Sequence, residues 1–171
     1  SGGRAYDLDY ADFLIAETLP ALPEAVGISL AMAETGKPYV ISFVIRADGC
    51  LLDGTPLNAA INGIDSAAEP RPLFYMVNCV HPSVLAEALA AESNRGGDAL
   101  KRLIGIQANT SSLTPEELDR SVSLRSDDEN SFYESMKALR VRYGLKIFGG
   151  CCGTTQRHMA KLSEIILRRD K

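Results

Sequence analysis

Five short runs of nearly continuous apolar character punctuate the chain. They are Asp12 to Thr18 (DFLIAET), Tyr39 to Ile45 (YVISFVI), Leu73 to Cys79 (LFYMVNC), Arg102 to Thr110 (RLIGIQANT) and Leu145 to Gly149 (LKIFG). Runs of five to nine residues that do not alternate fit strands buried on both faces. Helical spacing fills the gaps. Pro23 suits a first helical turn and leads through Val26 and Leu30 to a stop at Gly36. Thr55 to Ala67 reads as a weaker helix, and Pro82 opens one that carries Val84, Leu85, Ala88 and Leu89. Thr114-Pro115-Glu116-Glu117 has the form of a capping box. Ser126-Asp127-Asp128-Glu129 starts a helix with Phe132, Met136 and Leu139 at its spacing, and Gly153-Thr154-Thr155 starts a last one with Met159, Leu162 and Ile166.

Strand and helix thus alternate five times. That order predicts an α/β fold with a parallel sheet and right-handed crossovers. Two architectures satisfy it: an open doubly wound sheet, or part of a (β/α)8 barrel. A complete barrel takes about 250 residues, and 171 residues fall short of it by about three units. No fixed-period repeat or linker tract divides the chain, so one domain is expected over residues 12–171. Ser1-Gly2-Gly3, without an initiator Met, makes residues 1–11 read as a scar or leader segment.

Composition narrows the classes. With 46% hydrophobic and 23% charged residues, the chain can bury a core. Eighteen Lys and Arg against 22 Asp and Glu leave a formal charge of −4, which does not suit a nucleic-acid footprint. The tyrosines are not interleaved with basic residues. No apolar run reaches the roughly 20 residues of a bilayer span. Neither nucleic acid nor membrane is therefore expected as a partner. The Asp127-Asp128-Glu129 run reads as a solvated first helical turn favoured by the helix dipole.

The chemistry concentrates in cysteine. Four cysteines in a chain this long do not make a secreted disulfide framework, and a cytoplasmic location is the default expectation. Gly149-Gly150-Cys151-Cys152-Gly153 falls where the last strand gives way to the last helix, and Cys79 ends the third strand just before Pro82. Strand C-termini of a parallel sheet share one edge, so three thiols from two strand ends can converge. Neighbouring strand residues point to opposite faces. Cys151 and Cys152 reach one point only if the backbone turns, which the flanking glycines permit through positive φ. Three thiolates suit a soft tetrahedral cation, zinc first, with a fourth position open as in catalytic sites. The plain alternatives are that Cys79 is a small buried hydrophobe beside an incidental pair, or that the pair is redox-active. Cys50, after the Asp48-Gly49 turn, reads as incidental.

GGCCGTTQRHM, Gly149 to Met159, closely resembles the zinc signature of the homocysteine S-methyltransferase family. Met76-Val77-Asn78-Cys79 resembles its upstream Asn-Cys element, Glu17-Thr18 its Glu-Thr element, and VISFVI followed by LLDG its middle strand and hairpin. The pieces arrive in the family's order between Asp12 and Leu167. The resemblance implies a partial TIM barrel, approximately strands 4 to 8. The first three strands and a glycine-rich acidic element have no counterpart here.

The implied activity is zinc-dependent transfer of a methyl group to the sulfur of homocysteine, a step of methionine biosynthesis. Cys79, Cys151 and Cys152 would hold Zn2+, with the substrate sulfur at the open position. Glu17 would bind the substrate ammonium. Ser42 and Asn109, in or at the ends of strands, are candidates to line the pocket or simply to pack. Asn78 is expected to position the Cys79 loop, His158 to cap or support, and His81 to be a loop residue. The methyl donor is not specified by these residues. Two other readings stand beside this one: a non-catalytic zinc-binding or redox-sensing α/β domain, and an inactive fragment that needs a partner chain. Five parallel strands leave two unpaired edges, so self-association or a missing N-terminal segment is expected with the last.

Overall fold

The computed structural model describes residues 10–111 and 128–167. Five strands form one parallel sheet: β1 (Leu14–Leu19), β2 (Tyr39–Phe43), β3 (Phe74–Val80), β4 (Leu103–Ala108) and β5 (Ile147–Gly150), lying side by side in chain order. Between and after them come α1 (Leu22–Glu34), α2 (Leu57–Ala67), α3 (Pro82–Ala90), α4 (Glu129–Tyr143) and α5 (Gln156–Leu167). Two 3-10 turns, Glu92–Asn94 and Asp98–Arg102, lead into β4. All five expected strands are present, each trimmed or shifted by one or two residues at its ends. The Thr114 capping box lies outside the described residues.

Strand order bears on the two architectures. A doubly wound sheet reverses its order at a switch point, and here the order runs 1-2-3-4-5 without reversal. Right-handed crossovers in unbroken order put every helix on the same face. Burial agrees. Tyr39, Ile41, Phe43, Tyr75, Val77, Ile106 and Phe148 join the helices' Ala25, Ile61, Ile64, Leu85, Phe132, Met136, Leu139 and Leu162 in one core. The opposite face carries Val40, Met76 and Ile147, with Phe13 and Ile15 at its β1 edge; the last two are 55% and 41% exposed. No described helix covers this open face.

The helix boundaries have local causes. Pro23 sits in the first turn of α1, and the backbone N–H of Leu22 is satisfied from 31 residues away by Asp53 Oδ2 at 2.8 Å. Pro82 opens α3, where a missing N–H costs nothing. Asp128 caps α4 by accepting from the backbone N–H of Asn130 and Ser131, and Gly144 ends it at φ 72°. In α5 the expected apolar face is corrected. His158, Leu162 and Ile165 are buried, whereas Met159 and Ile166 are exposed. Positions i, i+4 and i+7 define the inward stripe; Leu162 lies on it as expected, whereas Met159 and Ile166 each fall one residue beyond it.

Candidate metal centre

Two β-bulges shape the C-terminal end of the sheet. Between the pairs Ala16–Ile41 and Leu19–Phe43, β1 advances three residues while β2 advances two. Between Asn78–Gln107 and Val80–Ala108, β3 advances two while β4 advances one. The residues inside these bulges are Thr18 at φ 63° and Cys79 at φ 54°, both in the left-handed region although neither is glycine. Such a conformation costs about 1 to 3 kcal/mol and persists only where surroundings enforce it. Its effect is visible in the phase of the side chains. Ala16 and Val77 lie on the helix side, and so do Leu19 and Val80, an odd number of residues later. The extra residue lets Cys79 leave the alternation and turn toward the strand ends.

Cys151 and Cys152 follow β5 directly. Their loop is tied to β4 by Cys151 N–H to Ala108 O at 2.7 Å and by Thr110 N–H to Cys152 O at 3.2 Å. Thr154 closes the turn: its N–H and its hydroxyl both donate to Cys151 O, at 3.2 and 2.6 Å. Of the glycines in the motif, only Gly153 takes positive φ, at 78°. Gly150 is there for a different reason. A Cβ on it would lie 2.4 Å from Thr154 Oγ1 and 2.8 Å from Thr154 Cβ.

The three thiols converge. Cys79 Sγ lies 2.8 Å from Cys151 Sγ, and Cys151 Sγ lies 3.9 Å from Cys152 Sγ. All three sulfurs fall within 4.8 Å of one another. Sulfurs around one tetrahedral zinc, each about 2.3 Å from the ion, stand about 3.8 Å apart. The second pair already has that spacing, and the first would open by about 1 Å. Cys79 and Cys151 are half-buried while Cys152 is exposed, so one side of the cluster reaches solvent. Burial, with the Cys79 thiol adding to it, pushes the Cys151 thiol above its ordinary value. Neighbouring Cys151 is the main influence raising Cys152. Without a cation both therefore stay protonated at neutral pH, and a cation that binds must displace protons. A donor set of three clustered thiols fits a soft metal ion.

Asn78 joins the cluster to the sheet. Buried at 3% exposure, its Oδ1 accepts from Thr18 N–H at 2.8 Å and from the Ser42 hydroxyl at 2.7 Å. Its Nδ2 donates to Thr18 Oγ1 at 2.6 Å and to Cys79 Sγ at 3.5 Å. Ser42 is fully buried behind it. Asn109, also buried, donates from Nδ2 to Cys79 O at 3.2 Å, while its Oδ1 has no hydrogen-bond partner among the described residues. Glu17 is exposed at the end of β1, next to Thr18. Sequence reading singled out Glu17 and missed Thr18. The only signal for Thr18 was its place in the same Glu-Thr element.

The histidines are occupied elsewhere. His158 Nδ1 accepts from Thr155 N–H at 3.1 Å and from the Thr155 side chain at 2.9 Å, and its ring stands edge-on to Phe132. Through Nδ1 it caps α5. His81 accepts from Ser83 N–H and caps α3. Cys50 sits in the 50–56 hairpin, apart from the other thiols.

A parallel sheet that gathers three thiols at its strand ends defines an α/β protein with a candidate metal site. The comparisons specify which. The chain belongs to the homocysteine S-methyltransferase family, whose sequence profile matches residues 5–166. Homocysteine S-methyltransferase 2 of Saccharomyces cerevisiae is 23% identical over 167 residues, 92% of this chain and 48% of that protein. Methionine synthase of Mycobacterium leprae is 24% identical over 173 residues, 92% of this chain and 13% of that protein. Among solved structures, the homocysteine methyltransferase MmuM of Escherichia coli superposes with a TM-score of 0.66 at 24% identity in both its apo and metallated forms. The match covers 92% of this chain and 51% or 46% of theirs. The chain thus spans about half the length of the yeast and E. coli proteins it matches. No helix among the described residues is long and apolar enough to cross a membrane.

Proposed function

We propose that this chain is the zinc-binding part of a homocysteine S-methyltransferase, forming approximately strands 4 to 8 of a (β/α)8 barrel and taking part in methyl transfer to homocysteine to give methionine. The observation that carries the reading is the meeting of Cys79, Cys151 and Cys152 at the ends of two strands. The unreversed strand order and the uncovered apolar face support the partial barrel.

Cys79, Cys151 and Cys152 would hold the ion, and the exposed side at Cys152 leaves the approach for a substrate thiol. A bound zinc ion supplies positive charge that favours the thiolate form of a coordinating thiol at neutral pH. Glu17, exposed at the same end of the sheet, is the proposed partner of the substrate ammonium. Ser42 and Asn109 act one layer behind, Ser42 through Asn78 and Asn109 through the Cys79 carbonyl. Orienting the substrate thiol in line with the methyl group is then the task of the protein.

The test pairs metal content with turnover. The reduced chain is expected to hold one zinc, and Cys152→Ala to lose it. Methionine formation is measured with S-methylmethionine, S-adenosylmethionine, betaine and a methylfolate in turn. A wild-type chain without zinc, or a Cys152→Ala chain that keeps it, sinks the proposal. The uncovered face favours a second reading, zinc binding without turnover until the remaining strands are supplied. Activity of the isolated chain would exclude it.

A further inference from the structure

We propose that Asn78 is a positioning residue for the Cys79 sulfur, and that Thr18 and Ser42 lock its amide in the orientation that presents an N–H to that sulfur. The inference rests on the reading of the three cysteines as a zinc site, and it adds a residue that sets the electron density of one ligand.

The orientation follows from hydrogen-bond chemistry. A backbone N–H can only donate, so the Asn78 atom 2.8 Å from Thr18 N must be the oxygen. The Ser42 hydroxyl at 2.7 Å fills the second acceptor position. Nδ2 is then turned to the other side, where it meets Thr18 Oγ1 at 2.6 Å and Cys79 Sγ at 3.5 Å. Reversing the amide would oppose two donors in a buried site. With both acceptor positions of Oδ1 filled, Asn78 offers the cluster a donor and no ligand atom.

The two bulges make this contact. Thr18, at φ 63°, brings its backbone N–H and its hydroxyl onto the same amide, one on each side. Cys79, at φ 54°, turns its sulfur back toward the Nδ2 of the preceding residue. Two left-handed residues that are not glycine therefore meet at a single side chain, which explains why the fold sustains both. Groups bonded to a ligand atom fix its orientation and tune the metal it holds. An N–H to sulfur draws charge from a thiolate, so the Cys79 sulfur would be a weaker electron donor than that of Cys152, which meets no side-chain N–H among the described residues.

Cobalt(II) loaded into the full chain in place of zinc reads this directly through the thiolate-to-cobalt charge-transfer band. Asn78→Asp keeps acceptors for Thr18 N–H and the Ser42 hydroxyl but has no N–H for sulfur. Its band is expected at longer wavelength, with cobalt affinity against a competing chelator lower by about 10- to 100-fold. Ser42→Ala removes a bond from the same network and leaves the sulfur contact, so its band is expected at the wild-type position. An unshifted band in Asn78→Asp, or the same shift in both variants, overturns the inference. Should Asn78→Asp fail to fold, the wild-type chain loaded with an NMR-active cadmium isotope carries the test. One Asn78 side-chain amide proton is expected to couple to the metal nucleus, and a metal-loaded chain without that coupling also overturns it. A wild-type chain that develops no thiolate charge-transfer band at all is a different result: it removes the zinc reading, and this inference with it.

Discussion

Asp53 and Asn78 each join parts of the chain far apart in sequence through one short polar side chain. Asp53 sits in the hairpin after β2, yet it accepts from the N–H of Leu22 and so performs the N-capping that Ala21 cannot. Its other oxygen accepts from Thr55 N–H at 2.9 Å. Desolvation pushes its carboxyl up, but hydrogen bonds from the backbone of Thr55 and Leu22, from the Thr55 side chain and from its own backbone together outweigh that and hold it below the usual carboxylate value. The depressed value means that the stabilisation is present above the unfolded-state pKa of about 3.9 and is lost as pH falls through the folded-state value. Asp53→Ala is expected to cost about 0.5 to 2 kcal/mol at pH 7 in denaturant unfolding. The gap to wild type should begin to close below about pH 4 and vanish once pH falls beneath the folded-state value. A gap that persists in acid would show that the charge is not what matters there.

Among the elements, the β5–α5 connection bears most on function, because its shape decides where two thiols point. Gly150 lets Thr154 approach closely, and Thr154 in turn holds the Cys151 carbonyl by two hydrogen bonds. A methyl group at 150 must displace Thr154, whose nearest atoms include its own Cβ and not merely a flexible tip. Gly150→Ala is therefore expected to cost about 1 to 3 kcal/mol, as overpacking does. It should also weaken metal binding. Gly153→Ala strains the same loop through φ instead. A Gly150→Ala chain with wild-type stability and wild-type zinc content would count against the close approach as the reason for glycine.

For the molecule as a whole, the asymmetry of the two sheet faces dominates. One face is sealed by helices, and the other exposes Phe13 and Ile15 at its β1 edge, next to the buried Val40 and Met76. Among the described residues β1 and β5 each pair on one side only. Exposed apolar side chains at an open parallel edge favour association. Sedimentation velocity is expected to show concentration-dependent self-association of this chain, reduced in the Phe13→Ser, Ile15→Thr double variant. Both side chains are substantially exposed, so the substitutions should change unfolding stability little. A chain that remains monomeric across the concentration range would mean that the open face needs no cover.

Strand and helix placement was legible because buried parallel strands and helix starts leave local marks. Continuous apolar runs marked all five strands, and Pro23, Pro82 and Asp128 marked helix starts. The cysteine motif and its Asn-Cys companion identified the family and the three thiols for the same reason, since residue type and spacing survive in the sequence. Tertiary structure alone decided the rest. The inward face of α5 depends on what the helix packs against, and Thr18 gives no local sign that it sits in a bulge. Both bulges exist because neighbouring strands advance by different numbers of residues, a property of pairing that no single strand encodes. The Asn78 amide acquired its orientation from residues 60 and 36 positions away. Sequence spells out which groups are available, whereas direction is set by contacts between segments that are distant along the chain.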